Sequence, residues 1–230
     1  LRHLPNMVVM APKDENELQH MIKTCLTYDG PASVRYPRGT SLGVPMDPEP
    51  VALPIGKAEL LRDGADVAIV AIGVTVWQAV KAAERLEQEG ISAAVVNARF
   101  VKPVDSALIG EVARRVRCLV TVEEAAKMGG FGSAVLESLS DQGITNLPTK
   151  VLGLPDWFIE QGPQDLLREK YGLTADGIYQ STKALLAQVS SGTRANHALA
   201  GQGHLLDGQG KHFTVSHGVR RESEGDEQGS

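Results

Sequence analysis

The feature that most constrains this chain is a regular alternation of apolar segments with amphipathic helical segments through its second half. Four short apolar runs are typical of strands buried on both faces, and they cover residues 66–73, 91–98, 118–122 and 151–154. Between the first two runs, apolar side chains recur at helical spacing, as at Val76, Val80 and Ala83. Strands that alternate with helices predict a parallel sheet covered by helices on both faces, which is an α/β fold.

The first forty residues predict a smaller unit of the same kind. Residues 7–10 form a short apolar run, a helical pattern extends to about Tyr28, and residues 32–36 favour a strand that Pro37 ends. This order predicts a strand–helix–strand unit, or the last part of a larger parallel sheet.

Local signals predict where the helices begin. Asp14 precedes Glu17 by three residues, the spacing of a capping box, and Thr75 and Asp105 are predicted to cap the next two helices.

Composition divides the chain into four parts. A segment rich in proline and glycine predicts a linker over residues 43–52, between the end of a sheet domain (1–42) and a complete α/β domain (53–189). Residues 190–230 are rich in Gly, Ser, Gln and charge and predict a disordered tail. The spacing of the four tail histidines matches no metal-binding pattern, so we predict no metal ligands there; they are His197, His204, His212 and His217.

Charge and hydrophobicity exclude several classes of partner. The chain has 23 Lys+Arg and 28 Asp+Glu, a net charge of −5, and no concentrated cationic run, which argues against binding to nucleic acid or to a membrane surface. No stretch approaches the roughly 18 apolar residues of a membrane span, and the first residues do not resemble a signal peptide, so we predict a cytoplasmic protein. Cys25 and Cys118 lack CxxC spacing and are predicted to be buried free thiols.

Arg35 and Arg38 are the candidate binding residues. Ligands of parallel sheets bind outside the carboxyl ends of the strands, and both arginines lie where the strand of residues 32–36 ends. Because Pro37 breaks the strand and Gly39 permits close backbone approach, we expect Arg38 to project into the mouth of a pocket, where a guanidinium suits a phosphate or carboxylate. The alternative is a structural clamp, in which an arginine pairs with an interdomain carboxylate.

Three other features allow more than one interpretation. The glycine loop at residues 129–133 precedes a helix and could cradle an anion, but it is also typical of a tight strand-to-helix turn. Glu123 and Glu124 could do acid–base work, although a helix cap or an interdomain hydrogen bond is favoured. Arg99 could form a salt bridge to the same sheet edge or to a partner subunit.

Six segments of the chain, in order, resemble the 1-deoxy-D-xylulose-5-phosphate synthase family of transketolase-like enzymes; they are residues 5–17, 35–39, 97–103, 120–124, 129–133 and 153–156. The resemblance extends to about residue 189. It implies the end of a pyrimidine-binding domain over residues 1–42 and a transketolase C-terminal-type domain over residues 53–189. It further implies a homodimeric, cytoplasmic or plastid enzyme that uses thiamine diphosphate and Mg2+ to join pyruvate to D-glyceraldehyde 3-phosphate with loss of CO2.

The resemblance also assigns roles to particular residues. Arg38 matches an arginine of the family that grips the phosphate or carboxylate side of the substrate pocket, and Arg35 is the second predicted substrate-binding residue. The family's GDG…N motif, its catalytic histidines and its activating glutamate are absent, and His3 and His20 match none of them and are expected on the surface or on a helix face. We therefore expect no catalytic, cofactor-binding or metal-binding residue in this chain, and no activity of this chain alone. The alternative is a non-catalytic module or subunit of a split transketolase-like enzyme or of a 2-oxoacid dehydrogenase β chain.

Overall fold

Two β-sheets and their covering helices make up the described part of the molecule. The computed structural model describes residues 1–201, and side chains up to residue 191. The strands are β1 (Val8–Met10), β2 (Ala32–Val34), β3 (Glu59–Arg62), β4 (Val67–Ala71), β5 (Ala93–Asn97), β6 (Phe100–Lys102), β7 (Cys118–Ala126) and β8 (Thr149–Leu154). The helices are α1 (Glu15–Thr27), α2 (Thr75–Gln88), α3 (Ser106–Arg115), α4 (Phe131–Asp141), α5 (Gln164–Lys170) and α6 (Ala175–Gly201).

The larger sheet has the strand order β3-β5-β4-β7-β8. Strands β4, β5, β7 and β8 are parallel, as predicted, and β4 and β5 are buried along their whole length. Helices α2 and α6 cover one face, and helices α3 and α4 cover the other. Strand β3 runs antiparallel at the edge and was not predicted, because a half-exposed edge strand with charged ends has no continuous apolar run.

The smaller sheet joins the two segments that the sequence separates. Strands β1 and β2 are parallel and connected through α1, as predicted. Strand β6, however, comes from the second segment and pairs antiparallel with β1. Arg99 lies between β5 and β6, and its φ of 60° is in the left-handed region. The two predicted domains therefore contribute strands to one sheet.

Two of the three predicted helix caps are confirmed. Asp14 accepts a hydrogen bond from Glu17 N (2.8 Å), and Asp105 accepts one from Leu108 N (3.2 Å). The prediction for Thr75 is wrong, because this residue lies inside the first turn of α2. Its buried hydroxyl donates instead to the carbonyl oxygens of Ile72 and Val122.

The predicted linker lies along α1 and is held there by side chains of the helix. The Glu15 carboxylate accepts hydrogen bonds from the backbone N–H groups of residues 42–44. His20 is 6% exposed; its Nδ1 accepts from Val51 N (3.0 Å), and its Nε2 lies 2.9 Å from Asp47 Oδ2. Because Nδ1 is an acceptor, the hydrogen bond to Asp47 requires the proton on Nε2. His20 is thus a structural helix-face residue that is covered by the linker.

Helix α6 continues to Gly201, so the predicted end of this helix at Val189 is too early. Residues 190–201 are mostly small or polar, but extending a helix that has already formed needs only one further hydrogen bond for each added residue. Residues 202–230, most of the predicted disordered tail, lie outside the described residues, as do the side chains of the tail histidines. Among the described helices, none combines the length and the apolarity that crossing a membrane would require.

Candidate functional site

The carboxyl ends of both sheets meet at a groove of about 230 Å3. The residues that follow β2 form one wall, the loop between β4 and α2 forms a second, and the end of β7 forms a third. The lining residues are Ala11, Pro12, Arg35, Tyr36, Pro37, Ile72, Gly73, Val74 and Glu124. The groove is at the edge where ligands of parallel sheets bind.

Arg35 is at the groove, as the sequence predicted. Its side chain is partly buried, and its Nη1 donates a hydrogen bond to the backbone carbonyl oxygen of Glu124. This contact crosses between the two predicted domains. Since the acceptor is a neutral carbonyl rather than a carboxylate, the bond orients the guanidinium without neutralising its charge.

Arg38 lies nearby but does not line the groove. The residue is exposed, and within the described side chains its guanidinium has neither an ion pair nor a hydrogen bond. Its backbone carbonyl accepts a hydrogen bond from Gln164 Nε2 on α5. The alternative of a structural clamp therefore does not describe Arg38, and its charge is accessible to an anion.

Two residues of α5 that were not predicted from the sequence contact this site: Gln164 bonds to the Arg38 carbonyl, and Arg168 bonds to Glu124. Arg168 holds the Glu124 carboxylate through Nη2 (3.0 Å) and Nε (3.2 Å), and its Nη2 also donates to Gln164 Oε1 (3.2 Å). The Arg168 side chain is 18% exposed. No local signal distinguishes these residues from an ordinary polar helix face, because their partners are 44 and 126 positions away along the chain.

The glycine loop is a structural turn. The anion that its backbone amides bind is a carboxylate of the protein itself. The buried Glu123 carboxylate accepts hydrogen bonds from Phe131 N and Gly132 N, both at 2.8 Å, at the start of α4. Glu123 therefore serves as the helix cap that the sequence favoured. The interdomain hydrogen bond at Glu124 is made by its backbone carbonyl, whereas its carboxylate pairs with Arg168 of the same predicted domain. Burial raises the pKa of Glu123 above its ordinary value, although the two backbone hydrogen bonds and nearby positive charges act in the opposite direction.

This pKa shift predicts a pH dependence that Glu123→Gln should remove. A carboxyl with a higher pKa in the folded state stabilises the fold most below its ordinary pKa of 4.5, and this contribution is lost as the pH rises through the raised value. The difference in unfolding free energy, variant minus wild type, should therefore increase between about pH 5 and about pH 8 in urea denaturation.

Glu137→Gln is the matched control for this experiment. The hydrogen bond from Arg2 lowers the pKa of the Glu137 carboxyl below 4.5, so this group changes protonation below the measured range. Its difference from wild type should be constant across the range. A constant difference for Glu123→Gln as well would contradict the effect of burial.

Arg99 holds α1 and β3 together rather than the end of β7. Its Nε donates to Glu17 Oε1 (2.7 Å), and its Nη2 donates to Glu59 Oε2 (2.9 Å). Asn97 Nδ2 donates to the same Glu17 oxygen (2.8 Å), and Lys13 N donates to the other one (2.8 Å). The Glu17 side chain is only 2% exposed. Burial acts to raise the pKa of Glu59, but the charges of Arg99 and Lys13 outweigh it and lower that pKa.

The described residues do not fit a site for a magnesium diphosphate. Among the described side chains, which extend to residue 191, no three or more His, Cys, Asp or Glu are grouped so that they could hold a metal ion. The helix N-terminal amides of the glycine loop, which could otherwise bind a phosphate, are occupied by Glu123. We therefore derive no chemical step through such a group from this chain.

Comparison with known proteins agrees with this architecture. Residues 56–178 match the family model of the transketolase C-terminal domain. Because this match covers more than half of the chain, the chain belongs to that family of transketolase-type α/β domains.

The similar proteins include synthases and a transketolase. The chain is 56% identical to 1-deoxy-D-xylulose-5-phosphate synthase 1 of Geobacter sulfurreducens over 187 residues, which are 81% of this chain and 29% of that protein. It is 57% identical to the synthase of Thermomicrobium roseum over 188 residues, 81% of this chain and 30% of that protein. A solved structure of a split gene transketolase, an inactive beta4 tetramer, matches with a TM-score of 0.67 and 36% identity over 81% of this chain and 59% of that one.

The resemblance inferred from the six segments is therefore confirmed, and with it a relationship to transketolase-like, thiamine-diphosphate-dependent transferases. The chain spans about 30% of the length of the curated synthases that it matches.

Proposed function

We propose that this chain is the C-terminal part of a 1-deoxy-D-xylulose-5-phosphate synthase. Such an enzyme condenses pyruvate with D-glyceraldehyde 3-phosphate, releases CO2 and supplies 1-deoxy-D-xylulose 5-phosphate for isoprenoid, thiamine and pyridoxal synthesis. The observation that carries this proposal is the identity of 56% over 187 residues, which are 81% of this chain. The substrates, a homodimeric state and a cytoplasmic location belong to the proposal, and the names of the matched synthases support the substrates.

Within this proposal, Arg35 and Arg38 attract the anionic part of the substrate. Arg35 is oriented at the groove by the Glu124 carbonyl, and Arg38 presents an accessible charge a few residues further along. A guanidinium can hold a phosphate or a carboxylate through two parallel hydrogen bonds. Thiamine diphosphate would supply the electron sink for decarboxylation. Residues outside this chain would hold it together with Mg2+, so the chain alone would be inactive.

A second candidate function is that of a separately encoded, non-catalytic module. The similarity to a split gene transketolase favours it, because that protein has a chain of related fold encoded on its own. The two candidates differ in one measurable respect. Under the second, activity should appear when this chain is mixed with a separately expressed catalytic chain, whereas the first requires one continuous polypeptide.

The experiment that tests the proposed function is Arg38→Ala in the complete synthase. Loss of one charge-assisted contact to phosphate should cost about 1.5–3 kcal/mol in acceptor binding. The KM for D-glyceraldehyde 3-phosphate should therefore rise roughly tenfold or more, while the KM for pyruvate changes little. CO2 release from pyruvate, measured against acceptor concentration, gives both constants.

Arg114→Ala is the matched control, since Arg114 is also exposed and contacts only a glutamine side chain at 3.3 Å. It should leave both constants unchanged. An unchanged acceptor KM in Arg38→Ala would remove this residue from the substrate site.

A further inference from the structure

One guanidinium, that of Arg168, is linked to both ends of residues 35–39, which we call the arginine segment. At one end of the segment, Arg35 Nη1 donates to the backbone carbonyl of Glu124, whose side-chain carboxylate is held by Arg168. Nη2 and Nε both donate to Glu124 Oε2, at 3.0 and 3.2 Å, and Nη2 also donates to Oε1 at 3.3 Å, so the guanidinium contacts both carboxylate oxygens and limits their rotation. Because side chain and carbonyl belong to one residue of β7, Arg168 restrains the acceptor that orients Arg35.

At the other end of the segment, the link from Arg168 to the Arg38 carbonyl depends on the orientation of the Gln164 side-chain amide. Arg168 can only donate hydrogen bonds, so its Nη2 contact at 3.2 Å requires the oxygen of the Gln164 amide on that side. The NH2 group of Gln164 then faces the Arg38 carbonyl, to which it donates. A side chain at Gly39 would press against this amide, since a Cβ there would lie 3.3 Å from Gln164 Oε1.

We propose that Arg168 is a positioning residue for substrate binding, which orders the arginine segment through Glu124 and Gln164. The identity of the substrate rests on the proposed function. The ordering of the arginine segment by Arg168 does not depend on it. Arg168 touches neither Arg35 nor Arg38 directly and acts through the two intermediates. A lysine at this position could pair with Glu124, but a single ammonium does not reproduce the planar fork that reaches both partners.

Tryptic cleavage of the full 230-residue chain measures the ordering of the segment without reference to any activity. The bond after Arg38 is a trypsin site, and it is cleaved only as fast as the segment opens. In Arg168→Gln, cleavage after Arg38 should become roughly tenfold faster, with cleavage at distant sites unchanged. Arg168→Lys should lie between this variant and the wild type. Arg114→Gln, which removes an exposed arginine–glutamine contact elsewhere, should match the wild type.

Kinetics of the complete synthase test the second half of the proposal. In Arg168→Gln, the KM for D-glyceraldehyde 3-phosphate should rise on the order of tenfold, because small displacements of binding groups are costly. The kcat and the KM for pyruvate should stay within about twofold of the wild type. Equal increases in both KM values, or accelerated cleavage along the whole chain, would show a merely structural role and overturn the proposal.

A second variant covers the case in which Arg168→Gln does not fold. Gln164→Ala removes the contact to the Arg38 carbonyl and leaves the pair between Arg168 and Glu124 in place. It should also accelerate cleavage after Arg38, and unchanged cleavage would overturn the proposal. Accelerated cleavage in this variant, combined with an unchanged acceptor KM in Arg38→Ala, would instead remove Arg38 from the substrate site and support only the ordering role of Arg168.

Discussion

Replacing Glu17 with alanine should lower the free energy of unfolding by about 3–5 kcal/mol, the effect of removing one partner from a buried ion pair. The Glu17 carboxylate is 2% exposed and accepts from Arg99 Nε, Asn97 Nδ2 and the Lys13 backbone. Without it, these donors are left in a region that water reaches poorly. Urea denaturation followed by circular dichroism measures the loss.

The matched control is Glu87→Ala. Glu87 also pairs with an arginine, Arg62, but its side chain is 64% exposed. Exposed pairs contribute little, so this variant should lose at most about 1 kcal/mol. Equal losses in the two variants would contradict the view that burial makes the Glu17 cluster important. Glu17→Gln should lie between alanine and the wild type, because it keeps an acceptor oxygen but loses the charge.

Gly130→Ala should lower the unfolding free energy by about 3 kcal/mol through overpacking. A Cβ at Gly130 would collide with the backbone oxygen of Ala126 and with the Glu123 carboxylate. Neither atom can move freely, since Ala126 ends β7 and Glu123 is bonded to the first amides of α4. The collision must therefore displace the loop or break the cap, and urea denaturation should detect either result.

Gly162→Ala separates this collision from the general effect of a glycine substitution. A Cβ at Gly162 would meet only the Leu167 side chain at 3.7 Å, an ordinary contact distance. This variant should be neutral or slightly stabilising, because alanine restricts the unfolded chain. If both variants behaved alike, the close approach at Gly130 would have no energetic consequence.

Several elements of the fold could be predicted because their causes are local. The buried strands β4, β5 and β7 are continuous apolar runs, and they form the parallel sheet that this pattern indicates. Asp14 and Asp105 cap helices a few residues away, within reach of their own carboxylates. Arg35 could be selected because Pro37 limits the strand of residues 32–36; the strand in the structure ends slightly earlier, at Val34, and Arg35 follows it directly at the carboxyl edge.

Other predictions failed or were incomplete because the deciding partner is distant. Thr75 has the right type for a cap, but the carbonyl of Val122, 47 positions away, accepts from its hydroxyl. Glu17 has the spacing of a capping box, but Arg99, 82 positions away, contributes to holding its carboxylate. A motif describes what a side chain can do, and a buried side chain takes whichever partner the packing provides.

By itself, the sequence determined the α/β class, the approximate order of strands and helices, and a cation at the edge where ligands bind. These follow from periodicity and from hydrogen bonds within a few residues. Only the tertiary structure decided that β6 pairs with β1 across the two segments, that Arg99 joins α1 to β3, and that Arg168 holds the groove from α5. Such contacts join residues that no local pattern relates, and their energies depend on a burial that exists only after the chain has folded.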